Sequence, residues 1–529
     1  MTLLFTHNAL WEHQAVANTA PGDPTAVTVP TTDWLGPDPA PFGTLGSYVT
    51  ERPIETAWAV NTGLWLRRNV TVDGLRPLVL RGRIENAVLV YFNGDYIGAV
   101  NPTNASITSV RDFTLVIPRS VATAGTHEIA LLCLDEAGGT TGDTTYIYLE
   151  ADYLRGFFPY PPEKVRERLE WKTDVIEAED STEDRLALRE RPRQSFNFDY
   201  PTSNTEYARA FNLVIGSMPE QWLIPVWTEA QRLGAVSAGA FSITAVTDRY
   251  DFRDESLVLL WETPRKWQIL GTTAISSGSI GVTQPTEAFT NAWLLPIRKG
   301  YIVGNVNRQT NSHVAVWSIG FEVEDNVVLA SDAPDQFLAD DIYFLEGLLS
   351  GSSITDNVIQ KVEVTDFDLG AVAYFSPWTN ARVSRPYRVV LADAEEVWQY
   401  RLWLHRRAGR YRQFWSPSLD ADLRLRSAGT ITDSLIIDSD DYLGYASNRT
   451  HLAVQTKDGT WYARTITDAT ELDSERTQLN LDSAINVAAS DVLRVSYLGL
   501  KRLETDKIDF NWLGGGACQI EVRLLEIAL

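Results

Sequence analysis

The chain of 529 residues has room for roughly three or four domains, each large enough to bury its own core. Its 69 acidic against 46 basic residues give a net charge of −23, which repels phosphate backbones and anionic lipid surfaces and excludes direct nucleic-acid binding as a property of the whole chain. Two cysteines, Cys133 and Cys518, cannot build a disulfide framework or a cysteine zinc site, and no window approaches the roughly 18 apolar residues that a membrane span needs. The opening MTLLFTHNALWEHQ lacks the basic and apolar regions of a secretory signal, so a chain made in a cytoplasm and kept in solution is expected, able to act outside as part of a particle after the cell lyses.

In chain order, strands dominate. Residues 77–100 (PLVLRGRIENAVLVYFNGDYIGAV), 256–262 (SLVLLWE), 313–324 (HVAVWSIGFEVE) and 518–527 (CQIEVRLLEI) alternate or cluster β-branched and aromatic side chains between Gly, Asn, Asp and Pro. Asn93-Gly94 between two apolar runs predicts a tight hairpin, because both central residues of that turn need positive φ. Three short helices are expected: residues 161–172, residues 181–191 with a capping-box-like Ser181 and Asp184, and residues 394–409. The fold class is all-β, a jelly-roll sandwich followed by two tandem sandwich or barrel-like domains with a few short helices.

The tandem reading rests on an internal echo. EQWLIPVWTEAQRL at 220–233 returns as RQFWSPSLDADLRL at 412–425, and Pro225 on Pro417 sets an offset of 192 (417 − 225) that also stacks Gln221 on Gln413 and Leu233 on Leu425. Further blocks follow in the same order. Arg191-Pro192-Arg193 matches Arg385-Pro386-Tyr387, 256–270 matches 450–464, LLPIRKGYIV at 294–303 matches VLRVSYLGLK at 492–501, and Trp317 falls against Trp512. The expected division is therefore a jelly roll over 1–152, a linker over 153–172, a first β domain over 173–335 and a second over 336–529.

Two resemblances come from these residues. D-x-x-W-like Asp33-Trp34, the A-P-F-G turn at 40–43, the W-x-R-R strand at 65–70, the V-x-F-N-G hairpin at 90–94 and the G-x-H-x-I-A strand at 125–130 resemble the galactose-binding-like jelly rolls that accompany β-galactosidases. The second covers the repeated part: TDVIE at 173–177, RLALRERPRQSF at 185–196, and GRYRQFWSPS at 409–418 resemble distal tail or baseplate proteins of long-tailed bacteriophages.

The first resemblance implies carbohydrate binding by loop residues. Asp95 and Tyr96 beside the hairpin and Asn101 and Asn104 in the following loop have the aromatic and amide chemistry for it, while the same asparagines also suit turns and Tyr96 also suits packing on its own sheet. Trp34, Trp58 and Trp65 sit in strand-like context and are expected in the core. In the second resemblance, Phe414 and Trp415 offer large apolar area and Pro417 fixes the chain direction, so Arg410, Phe414, Trp415 and Pro417, with Trp222 and Pro225 in the first copy, form an assembly or core corner. Trp415 as an intersubunit anchor is the alternative. Arg406, Arg407, Arg410 and Arg412 are expected to pair with acids.

No catalytic constellation is legible. The six histidines show no H-E-x-x-H spacing, and no nucleophile elbow, Walker loop or dinucleotide fingerprint occurs in context. Asp438, Asp440 and Asp441 lack the glycine and distal glutamate of a calcium loop, so no metal or other cofactor is expected. The resemblances imply a non-enzymatic virion protein of a phage tail tip, a homotrimer or alternatively a hexamer, meeting the tail tube, other baseplate or hub proteins and tail fibres. Its jelly roll would touch host cell-surface glycans. Other readings are a soluble bacterial glycan-binding protein and a glycoside hydrolase accessory subunit.

Overall fold

Period-two patterning becomes sheets in the computed structural model, which describes residues 3–44, 52–103, 110–135, 144–154, 156–311, 313–344, 355–368, 370–378, 381–438, 442–446 and 448–527. The fold is all-β, with short helices between strands. Two compact units divide it: Met1–Val165 with Ser195–Asp325, and Arg166–Gln194 with Asn326–Leu529. Residues 166–194 therefore belong with the second β domain and not with the first.

The first unit opens with the jelly roll. A six-stranded sheet runs in the spatial order Leu35–Pro39, Leu10–Val16, Gly63–Val72, Gly125–Leu134, Ala87–Phe92, Asp95–Val100. A five-stranded sheet, ordered Thr56–Ala57, Phe42–Thr44, Thr145–Tyr153, Leu78–Glu85, Val110–Ile117, faces it. Side chains such as Trp11, Leu66, Leu80 and Leu131 fill the space between the sheets, as expected when alternate residues of each strand point inward. Asn93 (φ 53°) and Gly94 (φ 86°) make the predicted hairpin turn. Trp58 and Trp65 are buried, whereas Trp34 is half-buried under the Arg67 guanidinium.

The jelly roll is joined to the first β domain within that unit. Gln284 donates to the Val116 carbonyl (3.2 Å) and accepts from the Val116 amide (2.8 Å), and Thr283 donates its hydroxyl to Thr114 O (3.0 Å). The Ala99 amide donates to the Thr283 carbonyl at 2.7 Å. A side-chain amide that copies a strand's hydrogen bonds in this way leaves no buried polar group unpaired.

The two β domains have the same topology. In the first, Arg193–Ser203 pairs with Val314–Val323, helix α1 (Tyr207–Ser217) follows, Trp222–Pro225 pairs with Phe289–Ile302, and that strand also pairs with the hairpin strand Leu257–Thr263. In the second, Arg382–Leu391 pairs with Ala517–Glu526, α2 (Ala394–Arg407) follows, and Phe414–Pro417 pairs with Val492–Leu503, which also pairs with His451–Thr456. Register fixes the correspondence. Trp261 opposes Trp267 as Gln455 opposes Trp461, and Phe198 opposes Ile319 as Tyr387 opposes Val522.

That register corrects three of the sequence matches. Trp222 lies opposite Gly300 and Phe414 opposite Lys501, so the long strands align at 201 (501 − 300) and LLPIRKGYIV was placed three residues out of step. Ile302 opposes Phe321 and Leu503 opposes Leu524, which makes Ile520 the counterpart of Trp317; Trp512 lies on the preceding strand. Arg385 corresponds to Phe196, not to Arg191. Identity of conspicuous residues misled here, because what the fold preserves is which positions face inward.

Helix expectations fared unevenly. α2 starts where predicted: Asp393 accepts from the Glu396 amide (3.0 Å) while Glu396 accepts from the Ala392 amide (2.7 Å). Residues 161–172 are instead a strand, Lys164–Glu170, and residues 181–191 belong to a hairpin of Thr173–Glu177 with Glu183–Ala187. In the first case the inward period-two positions are Glu167 and Leu169, and an inward glutamate hides the alternation. α1 was not predicted; no side chain caps its start, so it has no sequence signal there.

Candidate functional site

The motifs at 173–177 and 409–418 meet in the second unit. α2 ends on Ala408 in the left-handed region (φ 51°), and Gly409 (φ 69°) follows where a Cβ would strike Asp506 Oδ1 and the Trp171 side chain. Arg410 donates its amide to Asp506 (2.8 Å) and its guanidinium to the Thr173 carbonyl (2.6 Å); Asp506 also accepts from the Thr173 amide (2.8 Å) and hydroxyl (3.0 Å). The G-R of one motif and the leading Thr of the other are thus two sides of one knot around Asp506.

Beyond the knot the motif turns inward. Phe414, Trp415 and Pro417 are buried, and Trp415 packs against Phe337 (5.3 Å) and His451 (4.7 Å). Trp222 and Pro225 are buried in the first domain, with the Trp222 indole donating to Ser217 O at 2.8 Å. These side chains act as core corners. Trp415 offers no surface for a partner to grip.

Around this corner lie paired ions that composition could not distinguish from solvated loops. Glu167, fully buried, accepts from Arg401 (2.9 Å) and Gln194 (2.7 Å). Asp341 accepts from Arg406 (2.6 Å) and from Arg407; burial pushes its carboxyl up, but the two guanidiniums outweigh it and hold the group down at about 2. Glu183 pairs with Arg382 (2.8 Å) and Arg502 (2.7 Å), which likewise outweigh its burial and lower it. A cleft of about 480 Å³ opens beside these groups, lined by Arg185, Asp340, Tyr411, Arg412 and Gln413. Arg406, Arg407 and Arg410 therefore pair with acids, the first two with Asp341 and the third with Asp506 (3.4 Å).

A second cavity of about 190 Å³ in this unit holds Lys501, whose ammonium donates to the Pro417 carbonyl at 2.9 Å. Burial pushes the Lys501 amine down to about 8 despite the attraction of Glu526. Arg385, bound to Asp356 (2.5 Å), Arg449, bound to Glu526, and Asp422 share the cavity.

The sugar-binding candidates are spread out. Asp95 is exposed at the hairpin, but the half-buried Tyr96 ring lies between Tyr91 (5.7 Å) and Phe241 (6.1 Å), and burial pushes its phenol up to about 12. Asn101 donates its side-chain amide to Asn86 Oδ1 at 3.0 Å, and Asn104 lies outside the described residues. On the jelly roll's outer face, Leu10, Glu12, Pro37, Arg67 and Glu128 line a cleft of about 420 Å³. Asp438 pairs with Arg426 (2.6 Å), and Asp440 and Asp441 lie outside the described residues.

No protein-family model matches the chain, and no curated protein matches it. Among the described residues, no helix is long and apolar enough to cross a membrane.

Proposed function

We propose that the chain is a structural protein of a bacteriophage tail tip, in which three copies present six topologically equivalent β domains as a pseudo-sixfold ring of true threefold symmetry. The observation that supports it is the strand-for-strand correspondence of the two β domains. The phage-like motifs add to it, because they serve as a hydrogen-bonded knot and a core corner, the roles expected of a scaffold. Such a ring bridges a sixfold tail tube and threefold components below it. Mass measurement of the assembled protein tests this: three chains are expected, and six would overturn the pseudo-sixfold account.

The jelly roll's part in this reading is weak contact with host-surface glycans, effective only when several copies bind one surface. The outer cleft by Leu10, Glu12 and Arg67 suits it better than Tyr96, whose ring already packs on Tyr91 and Phe241. A glycan array probed with the assembled protein is expected to show binding that Arg67→Ala reduces. Equal signals from both proteins would remove the cleft from this role.

A further inference from the structure

The correspondence of the two β domains extends upstream. Asp174 opposes Leu186, Val175 opposes Arg185 and Ile176 opposes Asp184; Glu363 opposes Phe375, Val364 opposes Tyr374 and Thr365 opposes Ala373. Every pair differs by 189 (363 − 174), the offset that also relates Phe198 to Tyr387. Each β domain is thus preceded by the same element, a strand followed by a hairpin: Lys164–Glu170 with Thr173–Glu177 and Glu183–Ala187, then Asn357–Ile359 with Glu363–Thr365 and Ala373–Phe375.

The two elements are used differently. The first is seated on the second β domain: Arg166 to Glu170 pair with Asn511 to Lys507, Glu167 meets Arg401, Trp171 lies 5.7 Å from His405, and Glu183 meets Arg502. The second element is less covered, although Asp356 pairs with Arg385 and Lys361 with Glu179. Its strand pairs with Arg382–Leu391 alone among the described residues, and its hairpin exposes Val364, Phe367 (77%), Tyr374 (72%) and Phe375. A lone two-stranded hairpin with exposed apolar side chains is marginal in water.

A matching vacancy exists on the first β domain. At the offset of α1 to α2, 190 (407 − 217), Phe211 and Ile215 stand where Arg401 and His405 stand, and Tyr301 corresponds to Arg502. All three are exposed, Ile215 at 61%. The neighbouring strand Asn307–Thr310, counterpart of the strand that receives Lys164–Glu170, pairs only with Val314–Val323 among the described residues. The first element, whose hairpin also exposes Ile176, Leu186 and Leu188, thus sits on an acceptor carrying Arg401, His405 and Arg502, while the second hairpin and the face of Phe211, Ile215 and Tyr301 are both exposed.

We propose that the strand Asn357–Ile359 and the hairpin strands Glu363–Thr365 and Ala373–Phe375 of one copy dock on the first β domain of a second copy, adding a strand to the edge at Asn307–Thr310 and covering Phe211, Ile215 and Tyr301. The intrachain register carried across sets Asn357 opposite Asn307 and Asp356, which pairs with Arg385 in its own chain, opposite Arg308. Each copy donates once and accepts once, so the contact is head-to-tail, the kind that generates a ring where the rotation between copies closes. The inference rests on the self-assembly in the proposed function but not on the number of copies.

The test is oxidation of the full-length Asn307→Cys/Asn357→Cys protein, since directly opposed strand residues lie within disulfide reach and the native Cys133 and Cys518 are buried. Denaturing electrophoresis should show a ladder of covalent multimers, absent from either single variant. A second full-length protein, Phe367→Asp/Tyr374→Asp, should lose assembly while keeping its circular dichroism. An assembled protein without cross-links, cross-links confined to single chains, or a Phe367→Asp/Tyr374→Asp protein that still assembles would overturn the arm. A chain that stays monomeric at all concentrations would instead overturn the self-assembly reading and the arm with it.

Discussion

Glu167→Ala is the sharpest test of how the element preceding the repeat is held. The carboxylate is fully buried, 2.9 Å from Arg401 and 2.7 Å from Gln194, and its strand is paired over five residues with 507–511. Removing it leaves the Arg401 guanidinium buried without its counter-ion, which costs about 3–5 kcal/mol, and strands a buried Gln194 amide for about 1 kcal/mol more. A strand held by five residue pairs cannot absorb that loss without opening. Amide exchange should therefore rise by at least about a hundredfold at residues 166–170, the equivalent of about 3 kcal/mol of local opening, while the hairpin of residues 257–276 in the other unit stays protected. Glu167→Leu/Arg401→Met, which removes both charges, should recover most of the protection. Unchanged exchange in Glu167→Ala would refute the claim that this ion pair holds the strand.

Gly409→Ala should destabilise the second unit by about 2–3 kcal/mol, through positive φ and the displacement of Asp506 from the Arg410 and Thr173 hydrogen bonds, read as a lower denaturant midpoint. Asp341, held at about 2, contributes stability that is present above its ordinary range near 4 and lost as pH falls from about 4 to 2; Asp341→Asn should remove about 2 kcal/mol of that acid dependence. Lys501, held at about 8, leaves the unfolded chain binding more protons between about pH 8 and 10.5, so stability should rise with pH across that window, and Lys501→Met should flatten the rise in chemical denaturation at stepped pH.

Strands were legible because their alternation is hydrophobic, and the hairpin at Asn93-Gly94 because few residue pairs adopt that turn. The repeat was legible at Pro225 and Pro417, yet its register slipped where loops had grown, since sequence identity marks residues and the fold conserves facing. Lys164–Glu170 read as a helix because its inward position is Glu167, whose partner Arg401 lies far along the chain. The knot at Asp506 was out of reach for the same reason: nothing local distinguishes a half-buried, four-times hydrogen-bonded aspartate from one in a solvated turn. The sugar-binding candidates failed to converge because hairpin chemistry says nothing of what packs on the hairpin, here Phe241 on Tyr96.

The divergence of the two upstream elements has a physical rationale once their partners differ. An element seated within its own chain docks at high effective concentration, so the loss of translational freedom is already covered by the covalent link and ion pairs suffice. Glu167, Glu183 and Asp506 can therefore hold the first element with polar contacts that specify register, although such pairs add little net free energy over apolar packing. An element that must recruit a separate copy bears the association entropy itself, several kcal/mol that exposed salt bridges do not supply. Apolar area is the economical source: Val364, Phe367, Tyr374 and Phe375 expose it on the arm, and Phe211, Ile215 and Tyr301 expose it on the acceptor, where Arg401, His405 and Arg502 stand in the other repeat. The same contrast guards against misassembly. Arg401 and Arg502, which hold Glu167 and Glu183, have no charged counterpart at Phe211 and Tyr301, so the first element is steered to its own acceptor by ion pairs that the other one lacks.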